Sequence, residues 1–193
     1  LISEGQQGER LTGIFQDVAI QVDDYDDRWP VLADAACREL TDALPGIFTV
    51  IEHIGSTAVP GLAAKAIIDL MAAVPTLGTM AAQEGMLASL GYQRYETGMP
   101  NRLFYFRNRG SRRTHHLHVV TIDTWPSRNE RVLRDYLRSH PKEAARYAER
   151  KRQLLSADVD ADSYTRAKTA VIQELTDRAR TERGLPLSPV WEE

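Results

Sequence analysis

Apolar positions along this chain recur at two distinct periods, and the switches between them mark the elements. Residues 17–22 alternate apolar and polar, the pattern of a half-buried first strand. Trp29, Leu32, Ala36, Leu40 and Leu44 then follow helical spacing, with Pro30 early in the helix and Pro45-Gly46 at its end. Residues 47–54 are rich in β-branched side chains and predict a strand that Gly55-Ser56 breaks. Residues 66–74 are apolar except for Asp69, which predicts a buried central strand stopped by Pro75. A helix is expected over 79–90, with Gly91 as its stop. A hairpin over 92–96 and 103–107 and a strand over 115–122 complete the sheet-forming half.

The remainder reads as helical. Ser127 and Glu130 have the spacing of a capping box. Pro141 opens a second helix carrying Tyr147, Lys151 and Leu154 along its length. Asp160 or Asp162 caps a third, with Tyr164, Ala167, Val171, Leu175 and Ala179 along it and Gly184 at its end. The pattern predicts an α+β fold, a small mixed β-sheet flanked by helices with a helical C-terminal half. One domain over 16–184 is expected, with an N-terminal extension over 1–15 and a tail over 185–193.

Composition narrows the classes of function. The chain has 193 residues, 42% hydrophobic and 26% charged, in the range of ordinary globular proteins. No run approaches the ~20 apolar residues of a membrane helix, and the first ten residues lack the apolar core of a secretion signal, so a cytoplasmic location and no membrane partner are expected. Cys37 is the one cysteine, which excludes an internal disulfide and a cysteine-based zinc site. The net charge of −3 argues against a general nucleic-acid binder, and no long basic surface with interleaved aromatics is evident. Charge is unevenly spread, however: Arg94, Arg102, Arg107, Arg109, Arg112 and Arg113 fall close together, and guanidinium groups suit phosphate oxygens.

Neither G-x-x-x-x-G-K-[ST] nor G-x-G-x-x-G occurs. In their place Gly55-Ser56 ends one strand and Asp69 lies in the next. A glycine there admits a phosphate close to the backbone, and the hydroxyls of Ser56 and Thr57 can donate to phosphate oxygens. A carboxylate on the adjacent strand can hold Mg²⁺ bridged to those phosphates. Lys65 either neutralises phosphate charge or pairs with Asp69. Residues two apart on a strand share a face, so His116 and His118 lie about 6–7 Å apart and could join Asp69 in a metal set, one that suits Zn, Mn or Fe better than Mg. His115 points away, and His53 is read as structural. Arg102 and Arg107 are candidates for a substrate carboxylate or phosphate.

The run Glu52-His53-Ile54-Gly55-Ser56-Thr57-Ala58-Val59-Pro60-Gly61-Leu62, followed by Lys65 and Ile67-Ile68-Asp69, strongly resembles the GrpB family. Tyr25, Trp29-Pro30, His116-Leu117-His118, Arg134 through Arg138, His140-Pro141, Tyr147, Lys151, Tyr164 and Lys168 extend the resemblance. GrpB proteins are similar in fold to the polymerase-β-like nucleotidyltransferases. The resemblance therefore implies transfer of a nucleotidyl group from an NTP such as ATP, with Mg²⁺ or Mn²⁺, to a small-molecule acceptor; a carboxylate acceptor would give ligase-like chemistry. It also implies roles for Arg134, Arg138 and Lys168 toward the triphosphate, and for Tyr136 toward the substrate. The superfamily pattern has a second acid two residues after the first and a third on a later strand. Here those positions are Met71 and His118, and Ala66 stands where relatives commonly have proline. Two further readings follow: a catalytically inactive nucleotide- or metabolite-binding module, and a metal-dependent hydrolase or lyase using Asp69, His116 and His118.

Overall fold

The computed structural model describes residues 22–99, 101–156 and 161–190, and the side chains among them except those of 154–167. The strand expected over 17–22, save Val22, lies outside the described residues. So do the capping role of Asp160 or Asp162 and the side chains of Leu154, Tyr164 and Ala167.

Helix α1 (Arg28–Ala43) precedes strand β1 (Val50–Ile54), a 3₁₀ turn (Ser56–Ala58) and strand β2 (Ile68–Val74). A 3₁₀ segment (Leu77–Gln83), helix α2 (Glu84–Ser89) and strands β3 (Tyr92–Tyr95), β4 (Arg102–Arg109) and β5 (Arg112–Thr121) follow. After another 3₁₀ turn (Trp125–Ser127), helices α3 (Asn129–Ser139), α4 (Pro141–Ser156) and α5 (Ala161–Glu182) complete the chain. The strands form one sheet in the order β1-β2-β5-β4-β3, with β2 and β5 parallel and the other neighbours antiparallel. The α+β expectation holds, and the sheet is mixed.

Strand parity divides the sheet into two faces. Leu70, Ala72 and Val74 of β2, Leu117 and Val119 of β5 and Tyr105 of β4 pack against Trp29, Ala33, Ala36 and Leu40 of α1. That face is sealed: Leu70, Ala72, Val74, Leu117, Val119 and the α1 residues Ala33 and Leu40 are all fully buried. The opposite face carries Asp69, His116, His118, Phe104 and Arg102, brought side by side by the registers Asp69↔His116 and Phe104↔His118. The three C-terminal helices cover this side. They share an apolar cluster of Val132, Leu137, Tyr147, Ala148, Leu175 and Ala179, which also takes in Val59 and Leu62 from the loop after β1.

Three expectations change at this level. The helix predicted over 79–90 begins as the 3₁₀ segment from Leu77 and becomes α-helical only at Glu84; Gly78 and Gly85 weaken the early turns. The capping box does not form: α3 starts at Asn129, Ser127 Oγ donates to the Thr124 carbonyl, and Glu130 pairs instead with Arg102. The tail, read as of uncertain order, is pinned along 185–190 by four contacts. Arg180 donates to the Pro186 carbonyl, Gln173 to that of Ser188 and Asn129 to that of Pro189, and the Val190 N–H donates to Gln173.

Candidate functional site

A cavity of about 430 Å³ lies between the open sheet face and the helices. Segments distant in sequence line it: the turn at Gly55, Ser56 and Thr57, the sheet residues Asp69, Arg102, Phe104, His116 and His118, Glu130 of α3, and Lys151 and Lys168 of α4 and α5. Lys65, Leu133 and Val190 of the tail complete much of the wall.

Gly55 is the pivot of the turn. Its φ of 72° and ψ of −172° belong to glycine, and a Cβ there would stand 2.5 Å from Asp69 Oδ2. The chain can therefore leave β1 and fold across Asp69 only without a side chain at this position. The Thr57 hydroxyl is not available to a phosphate: it donates to the Ile67 carbonyl at 3.1 Å and receives the Nε2 proton of His53 at 2.9 Å. This corrects the phosphate role expected of that hydroxyl and explains why His53 is structural. Burial lowers the His53 pKa to about 4.

The imidazoles are held in defined tautomers. His116 Nδ1 donates to Asp69 Oδ1 at 2.8 Å, and Arg113, which can only donate, approaches His116 Nε2 at 3.4 Å. His118 accepts at Nδ1 from Arg102 at 3.3 Å, and burial lowers its pKa to about 4. Burial raises the Asp69 pKa, but the hydrogen bond from His116 and the neighbouring imidazoles outweigh it, so the carboxyl stays below its ordinary range. Asp69 thus takes His116 as a partner.

This arrangement corrects the metal set. A histidine ligates through a nitrogen lone pair; those of His116 and His118 are both occupied by arginine donors. Among the described residues no group of three histidine, cysteine or carboxylate side chains is placed to hold a metal. The position two residues beyond Asp69 offers no second acid, since Met71 is fully buried against Ile54, Val120 and Trp125. Asp69, His116 and His118 share a face, yet they form a hydrogen-bonded pair and a separate arginine-bound imidazole.

Positive charge dominates the helical wall. Lys151, only 4% exposed, donates to the Ala63 carbonyl at 2.6 Å and to Ser56 Oγ at 3.2 Å, and lies 4.5 Å over the Tyr147 ring. Burial, aided by Lys168, depresses its pKa to about 7. Burial also lowers the pKa values of Lys65 and Lys168; Lys168 adds to the effect on Lys65, whereas Asp69 partly offsets it for Lys168. On the sheet side, Arg102 pairs with Glu130 at 2.7 Å, leaving the second oxygen of Glu130 buried without a partner.

Four sequence candidates fall outside the cavity. Arg134 is buried between the Glu52 carboxylate, the His53 carbonyl and Asp135, and Arg138 donates to the Ala58 carbonyl at 2.7 Å. Both brace the Gly-Ser turn from behind. Tyr136 stacks on His140, with ring centroids 4.1 Å apart. Arg107 lies on the α1 face, bound to Glu39 and His115 and over the Tyr92 ring. Five positions separate it from Arg102, so parity sends the two arginines to opposite faces. His115 faces away from the cavity, as expected. Lys151 and Glu130 are the cavity residues that sequence reasoning left unassigned. For Lys151 the signal was its i+4 position from Tyr147, on the apolar stripe of its helix.

A glycine-serine turn folded over a strand carboxylate, beneath lysine-bearing helices, defines an α+β protein with a lysine-lined internal cleft. The family model described as "GrpB protein" matches residues 19–178. This chain belongs to the GrpB family. A UPF0157 protein of Pseudomonas aeruginosa is 38% identical over 181 residues, covering 89% of this chain and 72% of its own length. UPF0157 protein YqkA of Bacillus subtilis is 31% identical over 158 residues, covering 81% of this chain but only 46% of its own length. The conserved protein GrpB from Enterococcus faecalis superposes with a TM-score of 0.78 at 30% identity, covering 85% of this chain and 99% of that one.

Proposed function

We propose that the cavity binds a nucleoside triphosphate, such as ATP, through its phosphates and that the chain transfers the nucleotidyl group to a small-molecule acceptor. The observation that carries this reading is that Lys65, Lys151 and Lys168 line one cavity with the Ser56 turn and Asp69. A cavity of about 430 Å³ lies within the range of small-molecule sites. The phosphates would lie along the lysines and the turn, with His118 Nε2–H and Arg102 at the sheet side. In the transfer step, a lone pair on the acceptor's oxygen or nitrogen forms a bond to the α-phosphorus. The bond from that phosphorus to the bridging oxygen breaks, and pyrophosphate leaves with the electron pair. Asp69, held ionised, is positioned to take the acceptor's proton, and the lysines offset charge building on the leaving group. Such a reaction suits a cytoplasmic protein.

A second reading is favoured by Met71: with that position buried under Trp125, the cavity holds its nucleotide without transferring it, in the service of a partner enzyme. One experiment addresses both. Incubating the chain with each NTP and pooled cell metabolites, and following pyrophosphate and nucleotide-linked products by mass spectrometry, yields both under the first reading. Under the second it yields neither, while ATP still raises the melting temperature. Loss of that rise in Asp69→Asn ties the site to Asp69; an unchanged rise in the variant removes Asp69 from it.

A further inference from the structure

We infer that the cavity takes a polyphosphate chain without a divalent metal, its lysines supplying the countercharge. The inference deepens the nucleotide reading and rests on it only for the identity of the anion. Three observations carry it.

The first is the donor set. Mg²⁺ requires oxygen ligands in near-octahedral geometry, usually one or two carboxylates besides the phosphates. Asp69 is the one carboxylate at the turn, and its Oδ1 already accepts from His116 at 2.8 Å. Glu130, the other carboxylate of the cavity, is bound to Arg102 at 2.7 Å.

The second is the orientation of the imidazoles. A guanidinium cannot accept, so its approach to His116 Nε2 and His118 Nδ1 places a donor at the lone pair a metal would use. The other nitrogen of His116 bears the proton given to Asp69. The two imidazoles therefore offer zinc, manganese or iron no free lone pair.

The third is the surplus of cations. Lys65, Lys151 and Lys168 all line the cavity, and Asp69 is the carboxylate whose charge acts on Lys168. Lys65 and Lys168, joined by the ammonium of Lys151 below about pH 7, share the cavity with the hydroxyl-bearing turn and supply the charge a bound divalent ion would otherwise bring. A Mg²⁺ ion among them would meet repulsion from each.

The test uses the full chain, with tripolyphosphate and ATP as probes, each in EDTA and in excess Mg²⁺, read by calorimetry and thermal shift. Both probes are expected to bind in EDTA, with no tightening on adding Mg²⁺. Lys168→Gln is expected to weaken binding about tenfold and Lys168→Arg to restore most of it, as loss and return of one charge-assisted contact. Arg109→Gln, on the exposed hairpin, leaves binding unchanged. Mn²⁺ added alone is expected to keep its free-ion paramagnetic spectrum. Binding that requires Mg²⁺, tight uptake of Mn²⁺ by the protein alone, or no binding of either probe in EDTA overturns the inference. The two readings fail separately. Tripolyphosphate bound without metal, but no pyrophosphate from any NTP, leaves this inference standing and ends the transfer reading. An NTP accepted only as its Mg²⁺ complex, with pyrophosphate released, does the reverse.

Discussion

The α-carbon of Gly55 lies so close to Asp69 that a methyl group on it would stand 2.5 Å from the carboxylate oxygen Oδ2. Each residue constrains the other: the turn crosses the strand only because position 55 has no side chain, and the carboxylate is held where the turn covers it. Gly55→Ala is expected to cost about 1–3 kcal/mol, since both the backbone conformation and the contact are lost. Urea unfolding checks this. Adding Asp69→Ala should recover part of the cost by removing the contacting atom, so the two substitutions should be non-additive.

Met71 stands where a second acid would complete a carboxylate pair. Because it packs against Ile54, Val120 and Trp125, Met71→Asp introduces a buried charge with no partner. It should destabilise the chain by several kcal/mol, whereas Met71→Leu should cost under about 1.5 kcal/mol. Denaturant midpoints of the two variants decide the matter. A well-folded Met71→Asp that gains metal affinity would contradict the packing argument.

Acid should act on this protein through its buried imidazoles. Burial lowers His53, His115 and His118 to about 4 from the ordinary 6.5. Between those values the unfolded chain binds more protons than the folded one, so stability falls as pH drops from about 6.5 to about 4. The carboxylates with lowered pKa values contribute in the same sense at lower pH. Melting temperatures across this window should show the decline, and His115→Gln, which lies away from the cavity, should make it shallower.

Lys151 gives the opposite end of the pH range a dependence. Its pKa is about 7 in the folded chain against 10.5 ordinarily. Between those values the unfolded chain again binds more protons, so this lysine makes stability rise with pH over the window. Lys151→Met should flatten the rise. Anion affinity should move the other way, weakening as pH increases through 7 and the ammonium loses its proton. Calorimetric titration with tripolyphosphate at pH 6 and pH 8.5 measures it.

Much of the fold was legible because its signals are local. Helix α1 and strands β2 and β5 follow the periodicity of their own residues, and the apolar run around Asp69 announced both a central strand and an unusual carboxylate. The false capping box shows the weakness of spacing alone. Ser127 and Glu130 had the right separation, but Glu130 faced Arg102 across the cavity, and a charged partner outweighed a local backbone donor. The family resemblance gave Arg134 and Arg138, four residues apart on one helix face, roles toward the triphosphate. They do share that face, and it turns toward the carbonyls of His53 and Ala58.

By itself the chain determined its family, the Gly-Ser turn, the lone acid of the central strand and the pairing of His116 with His118 on one face. Periodicity and backbone chemistry act over a few residues and are written directly in the order of side chains. What only the tertiary structure decided was the company those groups keep: Lys151 and Lys168 arrive from helices about a hundred residues downstream of the turn, and arginines occupy the imidazole lone pairs. Whether a carboxylate meets a metal or a proton donor depends on which distant elements pack across it. That choice is made by burial of the helical apolar faces, not by any spacing in the strand itself.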